Sequence, residues 1–278
     1  MNILVLQSGG TTPVINATLA GVILGIKDKS NTHQLFTAKN GIYGAMKGQI
    51  YELENNKDFA FSILNLPGSS ITETSRVGTL NTTDVDMLSR SILDKDIHAI
   101  INIGGNGTLQ QSKFLSKTLP HSISVASCPK TVDNDLGDFN LKEVYFTPGF
   151  PSCMNWWNKH LRYLNIESLG SYSHDKVLVV QTFGRDTGFI CASCSGNESL
   201  EKVLVYGIPE SGITITELEE QVNTTLGKEN RCIVIMSEGL FQEKLENNHD
   251  LAGQPQFSSG ISTSAQLFTN YLITKGIN

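Results

Sequence analysis

Twice in its first half the chain runs from a short apolar stretch through a glycine-rich turn into a segment with helical spacing. That repeat narrows the choice of fold more than any bulk property does. The first passage is Ile3, Leu4, Val5 and Leu6, then Ser8, Gly9 and Gly10, then apolar residues at helical intervals across 15–26. The second is residues 99–103, then Gly104, Gly105, Asn106, Gly107 and Thr108, then a predicted helix over 109–115. Short apolar runs bounded by turn signals read as buried strands. Strands alternating with helices imply a parallel sheet, and therefore an α/β fold. A third strand, carried by Ile123 and Val125, stops at Pro129 and releases the polar run Lys130-Thr131-Val132-Asp133-Asn134-Asp135. Ligands of open parallel sheets bind outside the carboxyl ends of the strands. The two glycine turns are therefore expected to wall one crevice for phosphates, with the acidic turn as its floor. Glycine lets backbone N–H groups approach an anion, and a helix N-terminus adds partial positive charge. The first turn has the spacing of neither a P-loop nor a dinucleotide fingerprint. Each piece alone also reads as ordinary turn chemistry.

The rest of the chain supplies further parts. Strands are expected at 34–38 and, short and irregular, at 50–53. A polar loop over 66–76 carries Arg76, whose planar fork suits a phosphate and equally suits a solvated surface. Residues 82–93 predict a helix with Thr82 or Thr83 as N-cap and Asp84 and Asp86 in its first turn. A turn at 145–150 introduces a helix over 151–165 with Trp156 and Trp157 in the core, followed by a polar linker over 168–175. A strand at 176–181 leads to Gly184, Arg185 and Gly188 and a helix of small residues. Strands at 203–206 and 231–236 follow, the second ending in Ser237, Glu238 and Gly239. The domain change is placed near residue 145, giving domains 1–145 and 146–278.

Composition removes several classes of function. A length of 278 residues allows one large domain or two ordinary ones. With 39% hydrophobic and 17% charged residues the chain is expected to be soluble, and a net charge of −6 argues against a nucleic-acid surface. No secretory leader and no run of about 20 apolar residues is read, so a cytoplasmic protein without a membrane segment is expected. The five cysteines are scattered and odd in number, which argues against a disulfide framework. Cys191 and Cys194 have metal-site spacing but no partner pair to complete four ligands, so they read as helix packing.

Taken together, the segments resemble the phosphofructokinase family from residue 3 to near the chain end. The resemblance rests on Ser8, Gly9 and Gly10 with Asn16; on Arg76; on Gly104 through Thr108; on Pro129-Lys130-Thr131-Val132-Asp133-Asn134-Asp135; on Thr147-Pro148-Gly149; on Gly184 and Arg185 with Gly188; and on Ser237-Glu238-Gly239, in the family's order and spacing. It implies two stacked parallel-sheet, three-layer domains with the active site in the cleft between them. It also implies phosphoryl transfer to the C1 hydroxyl of fructose 6-phosphate, giving fructose 1,6-bisphosphate in glycolysis. In that scheme Asp133 is the general base, Thr131 orients sugar or phosphoryl group, and Lys130 is a donor-side charge. Asp135 and Asn106 face magnesium. Gly10, Arg76, Gly104, Gly105, Asn106, Gly107 and Thr108 line the donor, while Gly184, Arg185 and Glu238 hold the sugar phosphate. Glycine at 107 leaves room for a nucleotide's α-phosphate, which ranks ATP ahead of pyrophosphate. Lysine at 130 is typical of pyrophosphate users but also occurs beside glycine in ATP users, and the turns at 8–16 and 104–106 resemble the pyrophosphate-dependent branch.

Departures from the family pattern are Asn106 where many members carry a magnesium-binding aspartate, Phe183 beside the Gly–Arg pair, and Thr11. The family also continues past residues like those at 253–260 into a further sugar-phosphate segment, so the chain is expected to be truncated. Family enzymes assemble as homodimers or tetramers, and the same is expected here. Two other readings stay open. The turn at 104–108 also resembles that of NAD and diacylglycerol kinases, and the non-enzyme reading is a degenerate paralogue that binds nucleotide or sugar phosphate and acts only as a regulatory or assembly subunit.

Overall fold

The computed structural model describes residues 1–29, 32–136, 144–196, 200–241 and 262–277; the segment at 253–260 lies outside them. The chain divides into two compact α/β units, Met1–Thr131 and Val132–Asn278. The division falls ahead of the boundary expected near residue 145. Residues 133 and 134 go with the second unit because their hydrogen bonds run to Tyr145, Thr147 and Thr187.

The first unit contains β1 (Asn2–Gln7), α1 (Pro13–Lys29), β2 (Gln34–Ala38), α2 (Gly41–Met46), β3 (Ile50–Leu53), α3 (Lys57–Ser62), α4 (Thr82–Asp94), β4 (Ile97–Gly104), α5 (Asn106–Thr118) and β5 (Ser124–Pro129). Its sheet has the order β3-β2-β1-β4-β5 and is parallel except for β3, which pairs antiparallel with β2 at one edge. Side chains alternate across a strand, and β1 shows the result. Ile3 and Val5 pack with Ile15, Leu19 and Ile23 of α1, while Leu4 and Leu6 pack with Leu88 and Ile92 of α4 and Leu115 of α5. Helices therefore cover both faces.

The second unit contains α6 (Phe150–Ser171), β6 (Val177–Thr182), α7 (Phe189–Ser193), β7 (Leu204–Gly207), α8 (Ile215–Glu229), β8 (Cys232–Ser237) and α9 (Ser264–Thr274). Its parallel sheet has the order β6-β8-β7. The central strand β8 is buried throughout. Cys232, Val234 and Met236 face the side of α8 and α9, and Ile233 and Ile235 face the side of Leu161 in α6 and Cys191 in α7.

Several element ends differ from expectation. The N-cap of α4 is Asn81, not Thr82 or Thr83. Its side chain accepts from the Asp84 N–H at 3.0 Å while Asp84 accepts from the Asn81 N–H at 2.9 Å, a reciprocal box. Helix α5 begins at Asn106 rather than at residue 109. Helix α6 runs on through the expected linker to Ser171, because Arg231 donates to Asn165 Oδ1 at 2.6 Å and to Ser168 Oγ at 3.1 Å, anchoring the last turns. Trp157 packs against the core, but Trp156 is 51% exposed. At 3.6 residues per turn Trp157 shares the face of buried Leu161, and Trp156 lies about 140° around the helix from it. Among the described residues no helix is long and apolar enough to cross a membrane.

Candidate active site

In the first unit the carboxyl ends of β1, β4 and β5 lie side by side, with Gln7 opposite Ile103 and Gly104 opposite Pro129. The chain leaves β1 toward β2 on one side and β4 toward β5 on the other. The gap between β1 and β4 is thus a topological switch point, where ligands of such sheets bind. The turn after β1 is tied down by the Ser8 N–H on Ile103 O at 2.9 Å and the Gly9 N–H on Ser75 O at 3.1 Å. Gly9 has φ +83°, a region that side chains rarely adopt, and a Cβ there would stand 3.4 Å from Lys130 Nζ.

Lys130 is only 7% exposed. Its ammonium donates to Gly10 O at 2.9 Å and its own N–H donates to Gly104 O at 2.9 Å, so one residue holds the turns after β1 and β4 together. Exposed Arg76 lies over the first turn, its Nη2 3.9 Å from where a Cβ on Gly10 would be. Beside them α5 starts. Its opening N–H groups have no partner within the helix, and its dipole is positive at that end. Asn106 and Gly107 are exposed there and Thr108 is buried; a Cβ on Gly107 would meet nothing within 4 Å. Two glycine turns, a helix N-terminus, a lysine and an arginine make an anion-binding edge suited to phosphates. Thr131, half-buried, closes the unit.

In the second unit the acidic turn is held by residues between and beyond its carboxylates. Asn134 adopts the left-handed conformation, φ 59°, and is 6% exposed. Its Oδ1 accepts from the Thr147 N–H at 2.8 Å and its Nδ2 donates to Tyr145 O at 3.2 Å. Thr187 Oγ1 donates to Asp133 O at 2.8 Å. Asp133 and Asp135 are half-buried, with one oxygen of each carboxylate withdrawn from solvent. Burial first, and the neighbouring Asp133 carboxylate second, push the Cys153 thiol up.

The carboxyl ends of β6 and β8 bring the other second-unit residues together. The Glu238 N–H donates to Thr182 O at 3.0 Å and the Gly239 N–H to Gly184 O at 3.1 Å. Ser237 Oγ donates to Gly184 O and, at 3.3 Å, to Thr187 O. Glu238 is 8% exposed, and Arg185 is half-buried on the same turn as Gly184. The aspartate oxygens are the hard donors magnesium prefers, and that ion takes one or two carboxylates together with substrate phosphates. The donor set fits it. Among the described residues no group of three or more His, Cys, Asp or Glu could hold a metal. Cys191 and Cys194 are buried and donate to Ile235 O at 3.1 Å and Ile190 O at 3.5 Å, so that pair packs a helix.

A family model described as Phosphofructokinase matches residues 2–273. The chain belongs to the phosphofructokinase family. It is 24% identical to an ATP-dependent 6-phosphofructokinase of Entamoeba histolytica, over 98% of this chain and 61% of that protein. To a sulfofructose kinase of Alkalicoccus urumqiensis it is 26% identical, over 86% of this chain and 61% of that protein. A solved pyrophosphate-dependent phosphofructokinase from Nitrosospira multiformis superimposes with a TM-score of 0.73 at 28% identity, covering 86% of this chain and 60% of that one. The chain thus spans roughly three fifths of the length of these three relatives. Their names carry two different donors and two different sugars, so membership of the phosphofructokinase family leaves donor and sugar to be argued from the site.

Sequence reasoning did not single out Thr187 or the side chain of Asn134. Asn134 had a usable signal, an asparagine between two turn-forming aspartates, since asparagine tolerates the left-handed region. Thr187 had none.

Proposed function

We propose that this protein is a magnesium-dependent 6-phosphofructokinase that transfers a phosphoryl group to the C1 hydroxyl of fructose 6-phosphate, with ATP ahead of pyrophosphate as donor. The observation that supports this most is the turn from Asp133 to Asp135, two partly buried carboxylates on a backbone pinned by Asn134 and Thr187. Asp133 takes the hydroxyl proton as general base, and Asp135 is the carboxylate for magnesium, with Asn106 offering an uncharged amide oxygen. Bound there, magnesium would neutralise charge on the transferring phosphates. Thr131 orients the reacting groups. Gly10, Arg76, Lys130, Gly104, Gly105 and Thr108 receive the donor phosphates, and Gly184, Arg185 and Glu238 receive the sugar phosphate.

Room at Gly107 supports ATP, because no side chain stands where an α-phosphate would press. Pyrophosphate is the alternative, favoured by the buried Lys130 at the first glycine turn. A regulatory subunit without turnover is the further reading, favoured by the neutral Asn106. A homodimer or tetramer in the cytoplasm completes the proposal.

The test assays fructose 6-phosphate with ATP and with pyrophosphate, each with magnesium and with a chelator. Turnover with ATP that the chelator abolishes is expected, and turnover with pyrophosphate alone reverses the donor. An Asp133→Asn variant should lose about 10²–10⁴-fold in kcat. Sugar-phosphate binding with no turnover by the wild type would establish the regulatory reading instead.

A further inference from the structure

Thr187 has no chemistry to offer phosphoryl transfer, yet it touches every second-unit segment given a role above. It is 1% exposed. Its hydroxyl donates to the main-chain oxygen of Asp133 at 2.8 Å, and its own carbonyl accepts from Ser237 Oγ at 3.3 Å. Ser237, fully buried, donates also to the carbonyl of Gly184 and directly precedes Glu238. Gly184 in turn packs so closely on Thr187 that a Cβ there would stand 2.2 Å from the Thr187 oxygen.

We infer that Thr187 is a positioning residue, whose hydroxyl sets where the Asp133 turn stands relative to the turn of Gly184 and Arg185. The inference rests on the phosphotransferase reading for its effect on rate, and on geometry alone for its effect on the turn. The hydroxyl reaches the main-chain oxygen of Asp133, so it acts by orientation. Valine has the same shape as threonine and lacks the donor, whereas serine keeps the donor.

The experiment compares wild type, Thr187→Val, Thr187→Ser and Asp133→Asn in the full chain. A displacement on the order of 1 Å at a reacting group can cost about 10²-fold in rate, so Thr187→Val should lose about 10- to 100-fold in kcat with a much smaller change in KM, and Thr187→Ser should recover most of it. A second readout is the alkylation rate of Cys153, followed by peptide mass spectrometry, because that thiol senses Asp133. It should shift in Thr187→Val and stay at the wild-type rate in Thr187→Ser. Wild-type kcat in Thr187→Val, or an equal loss in both Thr187 variants, overturns the inference. If the wild type turns over neither donor, the functional reading fails, and an unchanged Cys153 rate in Thr187→Val then overturns the positioning role independently.

Discussion

Gly184 stands at φ +125° with no room for a side chain, since a Cβ would lie 2.2 Å from Thr187 O and 2.8 Å from Ser237 Oγ. Backbone strain of this kind costs about 1–3 kcal/mol before the clash is counted, so Gly184→Ala should lower the urea midpoint by at least that equivalent with an unchanged slope. A variant with a wild-type midpoint would mean the turn can be rebuilt at little cost. This glycine was legible beforehand because it sits next to Arg185 in a recognisable pair. Thr187 was not, for a physical reason. Its bond joins residues 54 positions apart, and no local pattern in the chain announces a hydrogen bond at that separation. For Asn134 the local signal reached only the left-handed turn, not its partner Thr147, 13 positions on.

Among the elements, the strands were the most readable, because burial on both sides of a sheet leaves continuous apolar runs. Helix ends were the least readable, because caps depend on one side chain each. For α4 the capping box of Asn81 and Asp84 decides the start. Replacing Asn81 by alanine should cost about 1 kcal/mol in thermal or urea unfolding, while Thr82→Ala and Thr83→Ala should cost little. Equal losses at all three positions would count against the assigned cap. The same reasoning covers α6, whose last turns depend on Arg231, a residue far along the chain with no helical signal of its own.

For the molecule as a whole, buried thiols set a limit on alkaline stability. Burial, the larger cause, and then the facing Cys153 push the Cys194 thiol up to about 12; burial pushes Cys232 up to about 12, and Cys191 shifts in the same direction. In the unfolded chain these thiols ionise near 9.0. Below that value both states are protonated and the groups contribute nothing to pH dependence. Above it the unfolded chain becomes thiolate first, so stability falls as pH rises, by about 1.4 kcal/mol per unit for each such thiol. The urea midpoint should hold between pH 6 and about 8 and then fall toward pH 10, with these three cysteines alkylated only after unfolding. A midpoint that stays flat through that range would refute it.

The border between the two compact units cuts the Pro129 to Asp135 motif, leaving Lys130 on one side and Asp133 and Asp135 on the other. A hybrid protein joined at that border would inherit its lysine from one parent and both carboxylates from the other. The motif is therefore indivisible only in the covalent chain, and any grafting of one unit onto a relative must carry the whole run from Pro129 through Asp135 with it.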